Sequence, residues 1–171
     1  VEAARKALAL AAADEPERAV NAMLLLSSAQ ERAGDLKGSE DTLRGVLAKD
    51  PDNVSALNNL GYFLAERNER LPEALAMIQK AVRAEPSNSS YLDSLGWVYF
   101  KLGQLPEAER YLSDAARRNP ASAAIQEHLG DLMQRLGKAE QARVAWQKAL
   151  TLSTETLSIN RIKSKLNGKR K

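Results

Sequence analysis

The sequence predicts an all-α protein in which a pair of short antiparallel helices is repeated along the chain. Two kinds of marker recur with the same spacing of 34 or 35 residues. A period in this range is typical of stacked units, each of which contacts only its neighbours. The markers are the prolines Pro16, Pro51, Pro86 and Pro120 and the pairs Leu60-Gly61, Leu95-Gly96 and Leu129-Gly130.

The stretch from Tyr91 to Pro120 shows what one period contains. Gly103 divides it into two segments of helical length, and small residues at Gly96 and Ala108 stand one on each side of this break. Side chains this small allow two helix backbones to approach closely, while larger residues such as Leu112 fill the space between units. The pattern therefore predicts two helices, a tight turn at Gly103 and close packing of the pair.

The same pattern places the boundaries of the other units. In the second unit Asn68 stands where other units have glycine, and Asn is the next best residue for a left-handed turn. One extra residue follows it and accounts for a 35-residue step. We predict a repeat array over residues 1–156, made of the second helix of a truncated repeat (1–18) and four full repeats (20–53, 54–88, 89–122 and 123–156), followed by a capping helix and basic tail (157–171).

The last predicted helix is expected to be amphipathic. Its apolar face would carry Leu157, Ile162 and Leu166, with Arg161, Lys163 and Lys165 mainly on the opposite side, as suits a cap with a polar outer face. Because Val1 lies inside a predicted helix, we also expect that a longer chain precedes it.

Charge is distributed unevenly along the chain. Residues 1–155 contain 19 basic and 22 acidic side chains, whereas residues 156–171 contain six basic and no acidic ones. Such a tail could contact nucleic acid or anionic lipid, but it is also typical of a solvated helix end, and no aromatic residue is interleaved for base stacking. We therefore expect no nucleic-acid partner. No apolar run approaches the roughly 18 residues of a membrane-spanning helix.

The residues that carry catalytic chemistry are scarce. The chain has a single histidine, His128, no cysteine and no glycine-rich phosphate loop. A lone histidine beside Leu129-Gly130 is more often a packing or surface residue than a catalyst or ligand. We predict that the protein is not an enzyme and has no catalytic residue, metal site or cofactor.

The third unit resembles the tetratricopeptide repeat (TPR) family, and about residues 2–156 share the pattern. The resemblance implies a right-handed α-solenoid, a TPR superhelix whose concave groove is lined by the first helix of each unit. It also implies a scaffold or adaptor that binds a protein or peptide in this groove. The matching residues are Leu92, Leu95-Gly96, Tyr99, Ala108, Leu112, Ala115 and Pro120.

A looser likeness, carried by the segments NNLGYFLAE and YLDSLGWVYFKLG, is to bacterial TPR proteins that include outer-membrane lipoproteins. If this likeness holds, it implies a periplasmic or outer-membrane-associated location, and otherwise a cytoplasmic one. A second function remains open at this point, in which the repeats form a structural scaffold that stacks on further repeats or other copies by self-association.

The family's groove-facing positions can be carried over onto this sequence. They make the middle of the groove aromatic and give it an acidic balance, so we expect a neutral or basic partner segment that inserts an apolar side chain. The aromatic rings could equally pack adjacent first helices together, and we expect Tyr62 to be the more exposed one. The candidate partner-binding residues are Asn58, Asn59, Tyr62, Glu66, Asp93, Trp97, Phe100, Lys101, Glu127, Asp131 and Arg135.

Overall fold

The computed structural model describes residues 1–3 and 16–168. Between Pro16 and Gly168 the chain forms α-helices joined by short turns, and no strand occurs in the described part. None of the described helices combines the length and apolar character needed to cross a membrane. The helices are α1 (Pro16–Arg32), α2 (Leu36–Lys49), α3 (Val54–Glu66), α4 (Leu71–Ala84), α5 (Ser89–Lys101), α6 (Leu105–Arg118), α7 (Ala123–Arg135), α8 (Ala139–Leu152) and α9 (Thr156–Leu166).

Four successive pairs account for the first eight helices. Turns of three or four residues fold α2, α4, α6 and α8 back onto the helix before them, and contacts within a pair are the most extensive. Each pair then contacts the next one, and α9 packs on α8. This is an α-solenoid, so the predicted fold class is confirmed. We propose to treat each pair as one repeat with the boundaries given above.

The turns inside the pairs use left-handed backbone where the sequence predicts it. Gly34, Gly103 and Gly137 have φ of +80°, +75° and +75°, and Asn68 takes the equivalent place with φ of +58°. The extra residue in the second pair is absorbed by Arg70, whose φ is +44°. A left-handed conformation is unfavourable for arginine, so the insertion costs some strain but leaves the pair intact.

Close approach within a pair depends on glycines of the first helices. A Cβ atom at Gly96 would lie 2.6 Å from Leu112 Cγ, and one at Gly61 would lie 2.6 Å from Ile78 Cγ1. Such distances are well inside van der Waals contact, so a larger side chain would force the helices apart. The partner alanines on the second helices are fully buried, as predicted, at Ala74, Ala108 and Ala142.

The ends of the chain depart from expectation at one place. The predicted truncated repeat lies mainly outside the described residues, as does the tail from residue 169. In α9, Ile162 is fully buried but Leu157 is 81% exposed, so placing Leu157 on the packing face was wrong. Leu157 lies in the first turn of α9, before the helix reaches the concave surface of the stack.

Candidate functional site

The concave face is built by α3, α5, α7 and α9. The helices α3 and α5 contact each other, as do α5 and α7, more closely than the second helices of successive pairs do. The first helices therefore lie on the inner side of the curved stack. Residues one period apart form two rows along this face: the first row is Asn58, Asp93, Glu127 and Arg161, and the second row is Tyr62, Trp97, Asp131 and Lys165.

An aromatic cluster forms the middle of the concave face. Trp97 stacks on His128 with ring centroids 4.1 Å apart and on Phe100 at 4.9 Å. The Tyr62 hydroxyl lies 3.4 Å from His128 Nε2, and burial raises the pKa of this phenol. Because the rings contact one another across three helices, the cluster joins α3, α5 and α7 and is part of the stack's packing.

A buried ion pair supports this cluster. His128 Nδ1 lies 3.0 Å from each carboxylate oxygen of Asp93, and both side chains are buried. Burial of the imidazole opposes its charged form, but the Asp93 carboxylate outweighs burial, and the pKa of His128 is raised. The contact fixes the ring, with Nδ1 towards Asp93 and Nε2 towards Tyr62.

The edge of the cluster faces water. Trp97 Nε1 donates a hydrogen bond to the Glu66 carboxylate. Lys101 Nζ lies 4.9 Å from the centroid of the Trp97 ring and donates to the Glu66 backbone carbonyl at 3.3 Å. Glu66 and Lys101 thus hold the polar edge of the indole and leave their remaining hydrogen-bonding capacity towards solvent.

The C-terminal part of the concave face is ionic. Arg161 donates two hydrogen bonds to Glu127, at 2.7 and 2.8 Å, and Lys165 Nζ lies 2.7 Å from Glu127 and 2.6 Å from Asp131. Burial of the Glu127 carboxyl would raise its pKa, but these two cations outweigh burial and lower it to about 2. Trp146 Nε1 also donates to Asp131, at 2.9 Å.

These contacts change the charge expected of the groove. Glu127 and Asp131 are neutralised by α9, and Asp93 is paired with His128. The prediction of an acidic groove was therefore wrong. It counted the acids of the first four units and placed the cations of the last helix on its outer side, whereas Arg161 and Lys165 face inwards.

The predicted binding residues differ in their access to solvent. Asn58, Asp93, Trp97 and Glu127 are buried; Asn59, Tyr62, Phe100, Lys101 and Asp131 are half-buried; and Glu66 and Arg135 are exposed. The expectation that Tyr62 would be more exposed than Trp97 agrees with this order, although the Tyr62 hydroxyl also approaches His128. The structure brings Tyr62, Glu66, Asp93, Trp97, Phe100 and Lys101 together, leaves Glu127 and Asp131 against α9, and places Arg135 beside a pocket of about 540 Å³ that Phe100 and Trp146 line.

Sequence reasoning missed three residues of the site. His128 was assigned to packing or surface, and Arg161 and Lys165 to the outer face of the cap. The repeat period could have identified Arg161 and Lys165, because Arg161 follows Glu127 by 34 residues and Lys165 follows Asp131 by 34 residues. No group of three or more metal-binding side chains occurs within residues 1–3 and 16–168.

One polar atom in this site has no partner. Asn58 is 8% exposed, and its Oδ1 atom accepts no hydrogen bond from any described residue. Its Nδ2 atom donates to Asn59 Oδ1 at 3.4 Å. A buried acceptor without a donor is unfavourable by roughly 1–3 kcal/mol, so this atom is a local cost in the packing of the concave face.

Comparison with known proteins agrees with this architecture. A family model described as tetratricopeptide repeat matches residues 1–53, 32–89 and 94–154. The chain belongs to the tetratricopeptide repeat family. Over 85 residues it is 41% identical to the TPR repeat-containing protein PA4667 of Pseudomonas aeruginosa, and this match covers 50% of the chain and 14% of that protein.

Solved structures show the same fold at low sequence identity. The thermophilic TPR protein TTC0263 of Thermus thermophilus superimposes with a TM-score of 0.70 at 22% identity, covering 95% of this chain and 96% of that one. MamA from Desulfovibrio magneticus RS-1 gives a TM-score of 0.64 at 19% identity, covering 88% and 93%. These likenesses support the TPR solenoid and do not extend to a ligand.

Proposed function

We propose that this TPR protein is a non-catalytic adaptor that holds a peptide or partner segment against the concave face of α3 and α5. The observation that carries the proposal is the half-buried Tyr62 ring at the edge of the aromatic cluster, one turn before the exposed Glu66. Tyr62 offers an amphipathic ring to an apolar side chain of the partner, and the Glu66 carboxylate can accept a hydrogen bond from its backbone or side chains. Asn59, Glu66, Phe100 and Lys101 would provide the surrounding contacts.

The C-terminal end of the concave face is already occupied. Since α9 covers Glu127 and Asp131, a partner reaching these residues must first displace the contacts of Arg161 and Lys165. We therefore place the partner over α3 and the neighbouring part of α5, where Tyr62, Phe100 and Lys101 are half-buried and Glu66 is exposed. Asp93 and Trp97 would act by positioning the cluster, because their own side chains are buried.

The test uses peptides selected from a displayed random library against the intact chain. Binding of each peptide is then measured by fluorescence anisotropy for Glu66→Ala and Tyr62→Ala. We expect each variant to weaken binding by about tenfold or more, which corresponds to about 1.4 kcal/mol. A matched control is Arg143→Ala, an exposed residue of α8 outside this face. Selected peptides that bind both groove variants as tightly as the parent would refute the concave site.

A second candidate function is a structural scaffold whose repeats stack on other copies. The observation that favours it is the highly exposed Leu157 in α9, the last described helix. Sedimentation across a hundredfold range of concentration tests it, with Leu157→Lys as the variant. A sedimentation coefficient that is constant over that range would refute self-association, whereas growth that Leu157→Lys abolishes would support it.

A further inference from the structure

The outer face of the stack carries a cleft at the fourth pair. It has a volume of about 590 Å³ and lies between α6, α7 and α8, away from the concave face. We call it the outer cleft. Among its lining residues are Ser113, Leu129, Met133, Val144 and Ala145. Met133 and Ala145 are each 6% exposed and form its floor, whereas Val144 is 69% exposed at its mouth.

The preceding pair shows how the same place is filled elsewhere in this chain. Positions 34 residues earlier than Met133 and Ala145 are Tyr99 and Tyr111. Their rings stack with centroids 5.6 Å apart and planes inclined by 10°. Gln79, at the position of Ser113, donates a hydrogen bond to the Tyr99 hydroxyl at 3.1 Å. The space beside α4 is therefore occupied by two phenol rings with a polar partner for one hydroxyl.

The fourth pair replaces both rings with smaller groups. Met133 and Ala145 supply a thioether and a methyl group, and Ser113 replaces the longer Gln79. The backbone frame is kept, because Gly130 and Ala142 are as closely packed as Gly96 and Ala108. The outer cleft thus corresponds to the space that two aromatic rings fill in the preceding pair. Its lining includes apolar side chains, and the flexible side chain of Met133 can adapt to an inserted ring.

We propose that the outer cleft binds a tyrosine side chain presented by a partner polypeptide. The ring would take the place that the Tyr111 ring occupies in the preceding pair, where Ala145 leaves space, and it would lie beside Met133, which corresponds to Tyr99. Charges at the mouth favour one kind of neighbouring sequence. Glu140 and Lys148 line the cleft four residues before and after Val144, while the third charged lining residue, Glu109, is already paired with Lys138. Glu140 and Lys148 therefore favour a partner with a basic residue on one side of the tyrosine and an acidic residue on the other.

This site is independent of the concave face. The cleft residues belong to α6, α7 and α8, and the proposed adaptor site belongs to α3 and α5. Variants in one are therefore expected to leave the other unchanged, and the two proposals fail separately.

The first test uses p-cresol, the tyrosine side-chain analogue, as the probe. Methyl NMR of the intact chain is expected to show ring-current shifts at Met133, Leu129 and Val144, saturating with a Kd of about 1 mM. The non-aromatic control is 4-methylcyclohexanol, which should shift these methyls at least fivefold less. Absence of shifts at these methyls, or equal effects of the two compounds, would overturn the proposal.

Variants that fill or block the cleft give the second test. Ala145→Tyr restores the residue of the preceding pair and is expected to raise Tm and to reduce the p-cresol shifts at least fivefold. Val144→Glu, at the exposed mouth of the cleft, should reduce the p-cresol shifts without altering Tm. This variant provides the test if Ala145→Tyr does not fold. The control is Arg143→Ala, an exposed neighbour outside the cleft. Unchanged p-cresol binding in folded Ala145→Tyr or in Val144→Glu would overturn the assignment.

Peptides test the proposed charge pattern. The probe is a 15-residue peptide with a central tyrosine, a lysine four residues to one side and a glutamate four residues to the other. Its affinity is compared with that of the same peptide carrying alanine for tyrosine, and with one carrying glutamate on both sides. We expect the alanine peptide to bind at least tenfold more weakly than the tyrosine peptide, and the two-glutamate peptide to bind about threefold more weakly. Equal binding of the alanine peptide would overturn the tyrosine site, and equal binding of the two-glutamate peptide would overturn the charge pattern.

Discussion

The two halves of the concave face use the same positions for different kinds of contact. In the aromatic half, Asp93 and Trp97 meet His128 of the next first helix in a buried arrangement. In the ionic half, Glu127 and Asp131 stand one period later and meet cations of α9. The position of a side chain within the repeat determines which helix it faces, and the residue on that helix determines whether the contact is aromatic or ionic.

The halves also differ in what remains when a contact is broken. Asp93 and His128 are both buried, so loss of one leaves either a buried carboxylate or the buried Nδ1 atom of His128 without the group it pairs with. Arg161, by contrast, has a side chain that is 56% exposed and stays hydrated without Glu127. We therefore expect larger losses of stability in the aromatic half than in the ionic half, although the ionic half has more ion pairs.

The largest effect is expected for Asp93→Ala. At pH 6 it leaves a buried His128 without its carboxylate, and we expect the free energy of unfolding to fall by about 3 kcal/mol. Urea denaturation followed by circular dichroism measures this. Asp93→Asn is the matched control, since its amide oxygen still accepts a hydrogen bond, and it should cost less. A loss below that of the ionic-half variants would reverse the comparison.

The second-largest loss of stability is expected for Glu127→Gln, and we expect this loss to depend on pH. The pKa of Glu127 is about 2 in the folded protein, against 4.5 as the ordinary value. A lowered folded pKa gives stability that is present above about pH 4.5 and is lost as pH falls towards 2. Allowing for the exposed guanidinium, we expect the variant to be less stable by about 2 kcal/mol at pH 7.

The measurement is the difference in unfolding free energy between parent and Glu127→Gln from pH 7 to 2. The difference should close between pH 4.5 and 2. A difference that stays constant over this range would show that the carboxylate charge does not hold α9 to the concave face.

The fold was more predictable from the sequence than the site because the two depend on different information. Turns and close helix contacts are local, so Asn68 and Gly96 specify them within one or two neighbouring elements. The contacts of the concave face join residues that are far apart in sequence: 31 positions between Trp97 and Glu66, 38 between Lys165 and Glu127, and 66 between Tyr62 and His128. When the charges of each unit are considered alone, the acidic side chains are expected to face a partner and the basic side chains of the last helix to face solvent. The ion pairs between successive units become visible only when residues one period apart are compared.

His128 shows the same limit for a single residue. Its position next to Leu129-Gly130 suggested packing, and packing is what the structure shows. Its pairing with Asp93, one period earlier, could not be read from its neighbours in sequence. Asn58 shows the opposite situation, because the groove-facing positions of the family predicted that it lies on the concave face. Only the structure shows that its Oδ1 atom is buried and accepts no hydrogen bond from the described residues.

A smaller, pH-dependent effect is expected from His128 in the aromatic half. Its pKa is raised because Asp93 outweighs the burial of the ring. A raised folded pKa gives stability that is fully present below the ordinary value of about 6.5 and is lost as pH rises through the folded pKa. The other charges that act on the ring are Glu66 and Asp131. Parent and His128→Asn should therefore differ most in stability below pH 6.5, as measured by thermal unfolding. A difference that grows at higher pH would contradict the sign.

The smallest effect is expected for Arg161→Gln in the ionic half. Its guanidinium pairs with Glu127, but the side chain is more than half exposed, and exposed pairs are worth about 0–1 kcal/mol. We expect a loss of less than about 1 kcal/mol in low salt that shrinks further in 1 M salt, where the Debye length is about 3 Å. Lys163→Gln is the matched control, since Lys163 lies on the same helix, is exposed and forms no ion pair with any described residue. Urea denaturation at both salt concentrations separates the cases: equal effects of the two variants would mean that net charge, rather than the contact with Glu127, stabilises the end of the stack.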